Sequence, residues 1–331
     1  MQRSDSRTGS RARDAAIFAA VEAWVRATAF DEYRRLRKLR RIETGRTDLR
    51  IACPRFANEK FLWRKLFDHD PRFTILSDKQ ASKEWVARQG VPLRLPQTLW
   101  IGTDAAEIPD DLWQRPVYLK ATHGSAMNIP VLSPPEDRDA LIARANAFLS
   151  VDWSQRRRQW GYKGVTPRLI VEEAITARES FHELKFYVCA GVVEQVYVQR
   201  TAPDPAASNW FREADGHLRK SEGRTSRGGR GIDGDMPEGG WDGLPIARAL
   251  GAGFDLMRVD MFLADGQLYQ GEMTVYNMAG RVQNFGFDWD APPNRLWDLR
   301  RSWFLTTPQP GWRGIYARAL RRAIDARAGD G

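Results

Sequence analysis

The sequence predicts an α+β fold, and three observations carry that prediction. Apolar residues recur at helical spacing in several stretches, among them DAAIFAAVEAWV, SDKQASKEWVARQG and IYARALRRAIDARAG. Short β-rich runs such as PVYLK, RLIVEE and KFYVCAGVVEQVYV are bounded by Gly, Pro or charged clusters. The two kinds of segment alternate along the chain, which argues against an all-helical or an all-β molecule. At 331 residues, 42% of them hydrophobic, the chain is long enough for two or three packed units with a sizeable core.

Residues 1–10 are polar and are expected to be disordered. The stretch DAAIFAAVEAWVRATAFDEYRRLRKLRRIE then has helical spacing and ends in a cluster of Arg and Lys, read first as a solvated basic helix face and second as a contact for anionic membrane or glycan. NEKFLWRKLFDHDPRF reads as a short amphipathic helix closed by Asp-Pro, its aromatics in the core. SDKQASKEWVARQG has Ser77 or Asp78 as N-cap and Gly90 at its end, and it leads into VPLRLPQTLWIG, a strand with Pro at its edges. PVYLKATHG is a strand entering a loop, LSPPEDRDALIARANAFLS a loop and a helix, and TPRLIVEEAI a buried strand with carboxylates at its end. HELKFYVCAGVVEQVYVQRT supplies two strands turning at Ala190 and Gly191. Residues 202–244 are rich in Gly, Arg, Pro and Asp and are expected as a long loop, with one short RGG-like tract as a weak nucleic-acid signal. LPIARALGAGF is helical, MRVDMFLADGQLYQGEMTVY is a hairpin turning at Asp265 and Gly266, and IYARALRRAIDARAG is a terminal amphipathic helix.

The net charge of +9 favours contact with polyanions, without choosing among nucleotides, glycans, nucleic acid and membrane surfaces. Cys53 and Cys189 lie far apart and without metal-ligand spacing, so neither a disulfide framework nor a zinc site is expected, and a reducing cytoplasmic compartment fits. Glu22 and Arg26 interrupt the apolar residues near the N-terminus, which leaves no signal-peptide pattern, and no stretch is long enough to span a bilayer.

Asp260 and Glu272 each sit inside an otherwise apolar strand of the hairpin, where pairing brings them side by side. Two such carboxylates repel unless a cation intervenes. A magnesium ion would resolve the conflict, and so would a structural network with Arg258, Arg281 or Lys185; spacing divides the odds evenly. Lys120 and Lys185 interrupt apolar strands and need acceptors such as phosphate, although lone strand lysines more often snorkel to solvent. Glu172 and Glu173 could offer backbone groups to an adenine edge or a carboxylate to ribose, or form an exposed strand end. The segment KATHGSAMN, residues 120–128, has the Gly, Ser and flanking Lys of a loop that wraps a polyphosphate, or of an ordinary turn. GxxxxGK[ST], GxGxxG after a strand and HExxH patterns are absent, neither cysteine carries a nucleophile motif, and His69, His123, His182 and His217 are scattered, with Asp68-His69-Asp70 read as a turn.

Taken in order, NEKFLWRKLFDHDP, SDKQASKEWV, YLKATHGSAMNI, WGYKGVTPRLIVEEAI, ELKFYVCAG, RVDMF and GEMTV resemble the TupA-like ATP-grasp family, associated with polysaccharide and teichuronopeptide biosynthesis. The resemblance runs from about residue 56 to residue 275. It implies an ATP-grasp fold, two α+β subdomains clasping ATP, with an N-terminal helical extension. The implied divisions are a basic helical segment 1–50, an N-terminal subdomain 51–115, a lid 116–175, a catalytic subdomain 176–307 and a C-terminal helix 308–331. It also implies ATP contacts from Lys79, Lys120 and Lys185, and a phosphate-covering loop of His123, Gly124, Ser125 and Asn128. Glu172, Glu173 and Ala174 would form the adenine hinge, Asp260, Glu272 and Thr274 would hold Mg²⁺, and Arg258 and Lys185 would act on the transferring phosphoryl group. Two departures stand out: Ala126 where family members commonly carry a second Gly, and Thr274 where many ATP-grasp ligases place a metal-binding Asn, the nearest here being Asn277 in VYNMAG.

The implied activity is ATP- and Mg²⁺-dependent ligation of a carboxylate to an amine through an acyl phosphate, on a cell-surface polysaccharide precursor or related sugar acid or peptide. The alternatives are a phosphotransferase acting on a sugar hydroxyl and a non-catalytic nucleotide- or glycan-binding protein. The expected partners are a small-molecule or glycan carboxylate and an amine donor, with peripheral contact to anionic membrane or glycan and no nucleic acid.

Overall fold

The computed structural model describes residues 2–202, 204–221, 231–232, 234–282, 286–288 and 292–329. Its helices are α1 Gln2–Thr28, α2 Phe30–Thr44, α3 Ala57–Phe67, α4 Arg72–Ser77, α5 Lys79–Ala87, α6 Arg138–Leu149, α7 Gly243–Gly251, α8 Pro292–Leu296, α9 Trp303–Thr306 and α10 Gly311–Gly329. The strands are β1 Thr98–Gly102, β2 Val117–Ala121, β3 Asn128–Val131, β4 Leu169–Glu173, β5 Phe181–Cys189, β6 Val192–Ala202, β7 Ala206–Arg212, β8 Leu218–Lys220, β9 Met257–Ala264 and β10 Gln267–Thr274. Two units are distinguishable, one formed by residues 1–70 and 276–331 and the other by residues 71–275.

The first unit is helical. The N-terminal residues expected to be disordered belong instead to α1, which runs from Gln2 to Thr28; its Ala-rich part from Ala12 onward favours the helix. The helix α3 departs from its amphipathic expectation, since every one of its residues is buried. Its charges are each answered by a neighbour. Arg40 pairs with Glu59 at 3.0 Å, Lys60 donates to the carbonyls of Asn294 and Trp297, and Lys65 donates to the carbonyl of Ala279 at 2.8 Å. The Arg64 guanidinium lies over the Trp297 ring, 4.5 Å from its centroid. Charged side chains at helical spacing read as a solvated face, but tertiary acceptors from residues more than two hundred positions away make burial tolerable here. Asp68, expected in a turn, is the C-cap residue of α3, with no turn assigned over residues 68–70, and accepts from the N–H of Phe304 at 2.8 Å. Around α3 the rings of Trp63, Phe67, Phe304 and Tyr316 pack at centroid separations of 4.9–6.1 Å.

The second unit contains two antiparallel sheets. A four-stranded sheet has the order β1-β4-β2-β3, and a six-stranded sheet the order β10-β9-β5-β6-β7-β8. On the smaller sheet, Val117, Leu119, Leu169 and Val171 bury one face together with Ala145 of α6. The larger sheet buries Leu184, Phe186, Val188, Val259 and Met261, and α7 contributes the buried Ile246, Ala247 and Leu250. Both tight hairpins turn where the sequence places them, at Ala190-Gly191 and Asp265-Gly266, with φ of 49° and 84° and of 46° and 78°. The expectation of a loop throughout 202–244 is corrected. β7 and β8 lie inside it because AASNWFR buries Trp210 to 1% exposure, a local apolar signal diluted by the surrounding Gly and Arg. The RGG-like tract at 222–230 lies outside the described residues.

The Trp63 indole N–H donates to the Tyr316 hydroxyl at 2.7 Å, and that hydroxyl donates to the Ala52 carbonyl at 3.0 Å, in a fully buried setting. Tyr316→Phe leaves one donor and one acceptor unanswered, and is expected to lower unfolding free energy by about 1–3 kcal/mol. Urea titration of the variant against the parent measures this, and an unchanged midpoint would refute it.

Candidate active site

The larger sheet builds its polar face by register. Across β5, β9 and β10 one row reads Lys185, Asp260, Glu272 and the adjacent row reads Tyr187, Arg258, Thr274. Alternation turns the intervening Phe186 and Val259 to the apolar side. The pairing of Asp260 with Glu272 expected from the hairpin is therefore present, and it depends on a bulge. Gln270 pairs with Met261 and Glu272 with Asp260, so Gly271 is the extra residue. A Cβ at Gly271 would lie 2.9 Å from the Asp260 carbonyl oxygen, which is why a residue without a side chain stands there.

Arg258 holds Asp260 with both ends of its fork, Nε to Oδ1 at 2.7 Å and Nη2 to Oδ2 at 2.6 Å, and Nη2 also reaches the Thr274 hydroxyl at 3.0 Å. Burial works against the Arg258 charge, but Asp260 and Tyr187 outweigh it and raise the pKa further. The structural network weighed for Asp260 thus exists through Arg258. Glu272 differs, because among the described residues its carboxylate has no hydrogen bond. Lys185 donates to Glu183 on its own strand. Among the described residues no group of three or more His, Cys, Asp or Glu is gathered as a metal cluster. The Thr274 hydroxyl faces Arg258 and does not border the cavity described below.

The smaller sheet and α5 contribute a second charged group. Glu172, 4% exposed, lies between Lys120 at 2.5 Å and Lys83 at 2.7 Å. Burial would raise the Glu172 pKa, but the two ammonium groups overcome it and hold the carboxyl below its usual range. Glu173 accepts from the N–H of Gln97 at 2.9 Å, and the N–H groups of Glu173 and Ala174 donate to Gln97 and Pro116. The carboxylate of Glu172, one of the two offered for ribose, is engaged by lysines.

Asp78, rather than Ser77, caps α5 by accepting from the N–H groups of Gln80 and Ala81. That cap sets Lys79 beside the loop after β2, where its N–H donates to the Thr122 carbonyl at 3.0 Å and its ammonium to the Gly124 carbonyl. Burial lowers the Lys79 pKa, with the Glu272 carboxylate opposing. In the loop itself Ser125, Ala126 and Asn128 are exposed. His123 is not part of the loop's open surface: it is buried to 3%, its Nε2 lies 3.1 Å from the Phe148 carbonyl, and burial lowers its pKa. It anchors the loop. Ala126 has φ of 59°, a left-handed conformation that a Cβ disfavours by about 1–2 kcal/mol.

These groups border one cavity of about 830 Å³. Lys79, Lys120, Glu172 and Glu173 line it with Gly124, Ser125 and Asn128, and so do Lys185, Arg258, Asp260 and Glu272. His123, Ala174 and Thr274 do not border it. Sequence reasoning missed Lys83, Arg178, Glu179 and Glu183, which do. Lys83 was detectable as the residue four after Lys79, one helical turn along the same face. The segment carrying Arg178 and Glu179 is held by Asp265 of the β9–β10 turn, which accepts from the N–H groups of Arg178, Glu179 and Ser180 at 2.8, 3.0 and 3.3 Å.

The profile of the family described as TupA-like ATPgrasp matches residues 59–292. Among solved structures, the chain is 14% identical to an N5-carboxyaminoimidazole ribonucleotide synthetase in complex with ADP, covering 75% of this chain and 52% of that one, with a TM-score of 0.36. It is 16% identical to a D-alanine–D-alanine ligase from Bacillus anthracis, covering 78% of this chain and 70% of that one, with a TM-score of 0.35. An L-amino acid ligase from Bacillus licheniformis is 14% identical, with 67% of this chain and 46% of that one covered and a TM-score of 0.36. No curated protein matches the chain.

Ala126→Gly is expected to raise stability by up to about 1 kcal/mol, because relief of the left-handed strain exceeds the added entropy of the unfolded chain; a lowered thermal midpoint would contradict this. Gly271→Ala is expected to cost about 1–3 kcal/mol, since the new methyl group meets backbone that cannot rotate away. Chemical denaturation reads that loss, and an undisturbed midpoint would show that the bulge tolerates a side chain.

Proposed function

The chain belongs to the TupA-like ATP-grasp family, and from that premise we propose that its cavity binds ATP with Mg²⁺ and joins a carboxylate to an amine through an acyl phosphate. The observation that carries this reading is that one cavity is bordered both by the cations Lys79, Lys120 and Lys185 and by the cross-strand carboxylates Asp260 and Glu272. Lys79 and Lys120 bind phosphate oxygens beneath the loop of Gly124, Ser125 and Asn128, and the four-stranded sheet acts as the lid. Glu172 and Glu173, which border the cavity, are read as the adenine hinge.

The donor set suits magnesium, which takes one or two carboxylates and completes its shell with phosphate and water. Glu272 offers a carboxylate with no hydrogen bond among the described residues, and Asp260 offers a second after sharing with Arg258. Bound there, the ion would neutralise charge on the nucleotide phosphates. Lys185 and Arg258 orient the transferring phosphoryl group and stabilise its charge as it passes to the substrate carboxylate, releasing ADP. An amine then attacks the acyl carbon, an amide forms and phosphate leaves. We place the reaction in the cytoplasm, where ATP is supplied; no helix among the described residues is long and apolar enough to cross a membrane. The net charge of +9 suits an acidic acceptor such as a sugar acid or peptide precursor of a cell-surface polysaccharide.

Mass analysis of reactions with candidate uronic acids and amino acids tests the chemistry. An amide formed with release of phosphate supports ligation, whereas a stable phosphorylated acceptor would assign a phosphotransferase instead. ATP with Mg²⁺ is expected to raise the thermal midpoint of the parent and to do so less for Asp260→Asn; Lys185→Met is expected to lower kcat about a hundredfold or more. No thermal response in either protein would remove the nucleotide assignment.

A further inference from the structure

A second cavity, of about 250 Å³, lies in the helical unit, bordered by Arg40, Arg46, Arg50 and Arg55 with Asp48 and Glu59. Its floor is a built element. Arg40 is 4% exposed, its guanidinium lies 5.1 Å and 5.4 Å from the ring centroids of Phe56 and Phe287, and its terminal nitrogens are bonded to Glu59 and Asp48. Its Nε is buried with no hydrogen-bond partner. Glu59 curls the rim around that floor by accepting from the N–H groups of Arg50, Arg55 and Phe56 at 2.9, 3.0 and 3.3 Å. The rim pairs Arg46 with Asp48 at 3.1 Å, whereas the exposed side chains of Arg50 and Arg55 have no ion pair among the described residues.

Four guanidinium groups against two carboxylates leave two positive charges uncompensated around the cavity. A further guanidinium stands near: Arg327 of α10 bonds to the carbonyls of Cys53 and Pro54. Burial lowers the Arg327 pKa, and Arg55 and Arg50 lower it further against the pull of Cys53. Cations gathered closely enough to disfavour one another, around a hollow with an unanswered buried donor, are an arrangement completed by an anion.

We propose that this cavity is a binding site for a tetrahedral oxyanion of the phosphate class, either free or carried on a lipid headgroup. Arg50 and Arg55 clasp the anion from the rim and Arg40 supports it from below. The site belongs to the helical unit and involves none of the residues assigned to nucleotide or metal.

Calorimetric titration of the full chain with inorganic phosphate, against chloride at matched ionic strength, tests the site. With the larger cavity occupied by ATP and Mg²⁺, the double variant Arg50→Gln/Arg55→Gln is expected to bind phosphate about tenfold or more weakly, while Arg34→Gln, an exposed arginine of α2 that does not border the cavity, keeps the same binding. The two exposed side chains make no bond that folding needs, so the double variant is expected to unfold without phosphate at the parent's temperature or above it. Unaltered phosphate binding in the double variant, or a response equalled by chloride, would overturn the proposal. Co-sedimentation with phosphatidylglycerol vesicles separates the sources: pelleting that millimolar phosphate competes away identifies a lipid-borne group, and phosphate binding without pelleting identifies a soluble one. Pelleting that survives the double substitution would also overturn it.

Discussion

The register of β5, β9 and β10 is the constraint on which the candidate site depends. It sets Lys185, Asp260 and Glu272 in one row, on a sheet whose opposite face is packed with Phe186, Val259 and Met261. A slip of one residue would turn these charges into the apolar core, so core and site enforce the same alignment. The two carboxylates facing each other across a strand pair repel by about 3 kcal/mol at an effective dielectric of about 20. Arg258 answers Asp260 with hydrogen bonds, whereas Glu272 meets the charges of Lys79 and Arg258 through space. Glu272 borders the cavity without a hydrogen bond among the described residues, so the two carboxylates of the pair differ in how they are held.

A second alignment joins α5 to the smaller sheet. Glu172 is deeply buried and would be costly alone, but Lys83 from the helix and Lys120 from the neighbouring strand approach it from two directions. Lys83 also donates to the Pro96 carbonyl at 3.1 Å and to the Thr98 hydroxyl. The result is a cationic wall whose positions are set before any ligand arrives, which reduces the reorganisation that binding a polyanion demands.

Legibility in the sequence followed the range of the interaction. Asp260 and Glu272 could be paired because both lie close to a tight turn whose residues, Asp265 and Gly266, announce themselves. The anchoring of His123 could not, because its acceptor on Phe148 is 25 residues away and belongs to a separate helix. Lys83 reads as one more solvated lysine until Glu172 closes on it from 89 positions further along the chain. The buried charges of α3 were hidden for the same reason, their acceptors at Ala279, Asn294 and Trp297 being distant in sequence. β7 failed to register for another cause, the averaging of a seven-residue strand into a window dominated by Gly and Arg.

Asp265 gathers Arg178, Glu179 and Ser180 through their backbone N–H groups, not through their side chains. Any residue except proline supplies such a donor, so the clasp specifies where this segment runs without specifying what it is made of. The wall of the cavity that it forms is thereby open to diversification. Side chains there can be exchanged while the hairpin bearing Asp260 and Glu272 remains as it is, so the lining of the cavity can change by small evolutionary or engineered steps without moving those carboxylates.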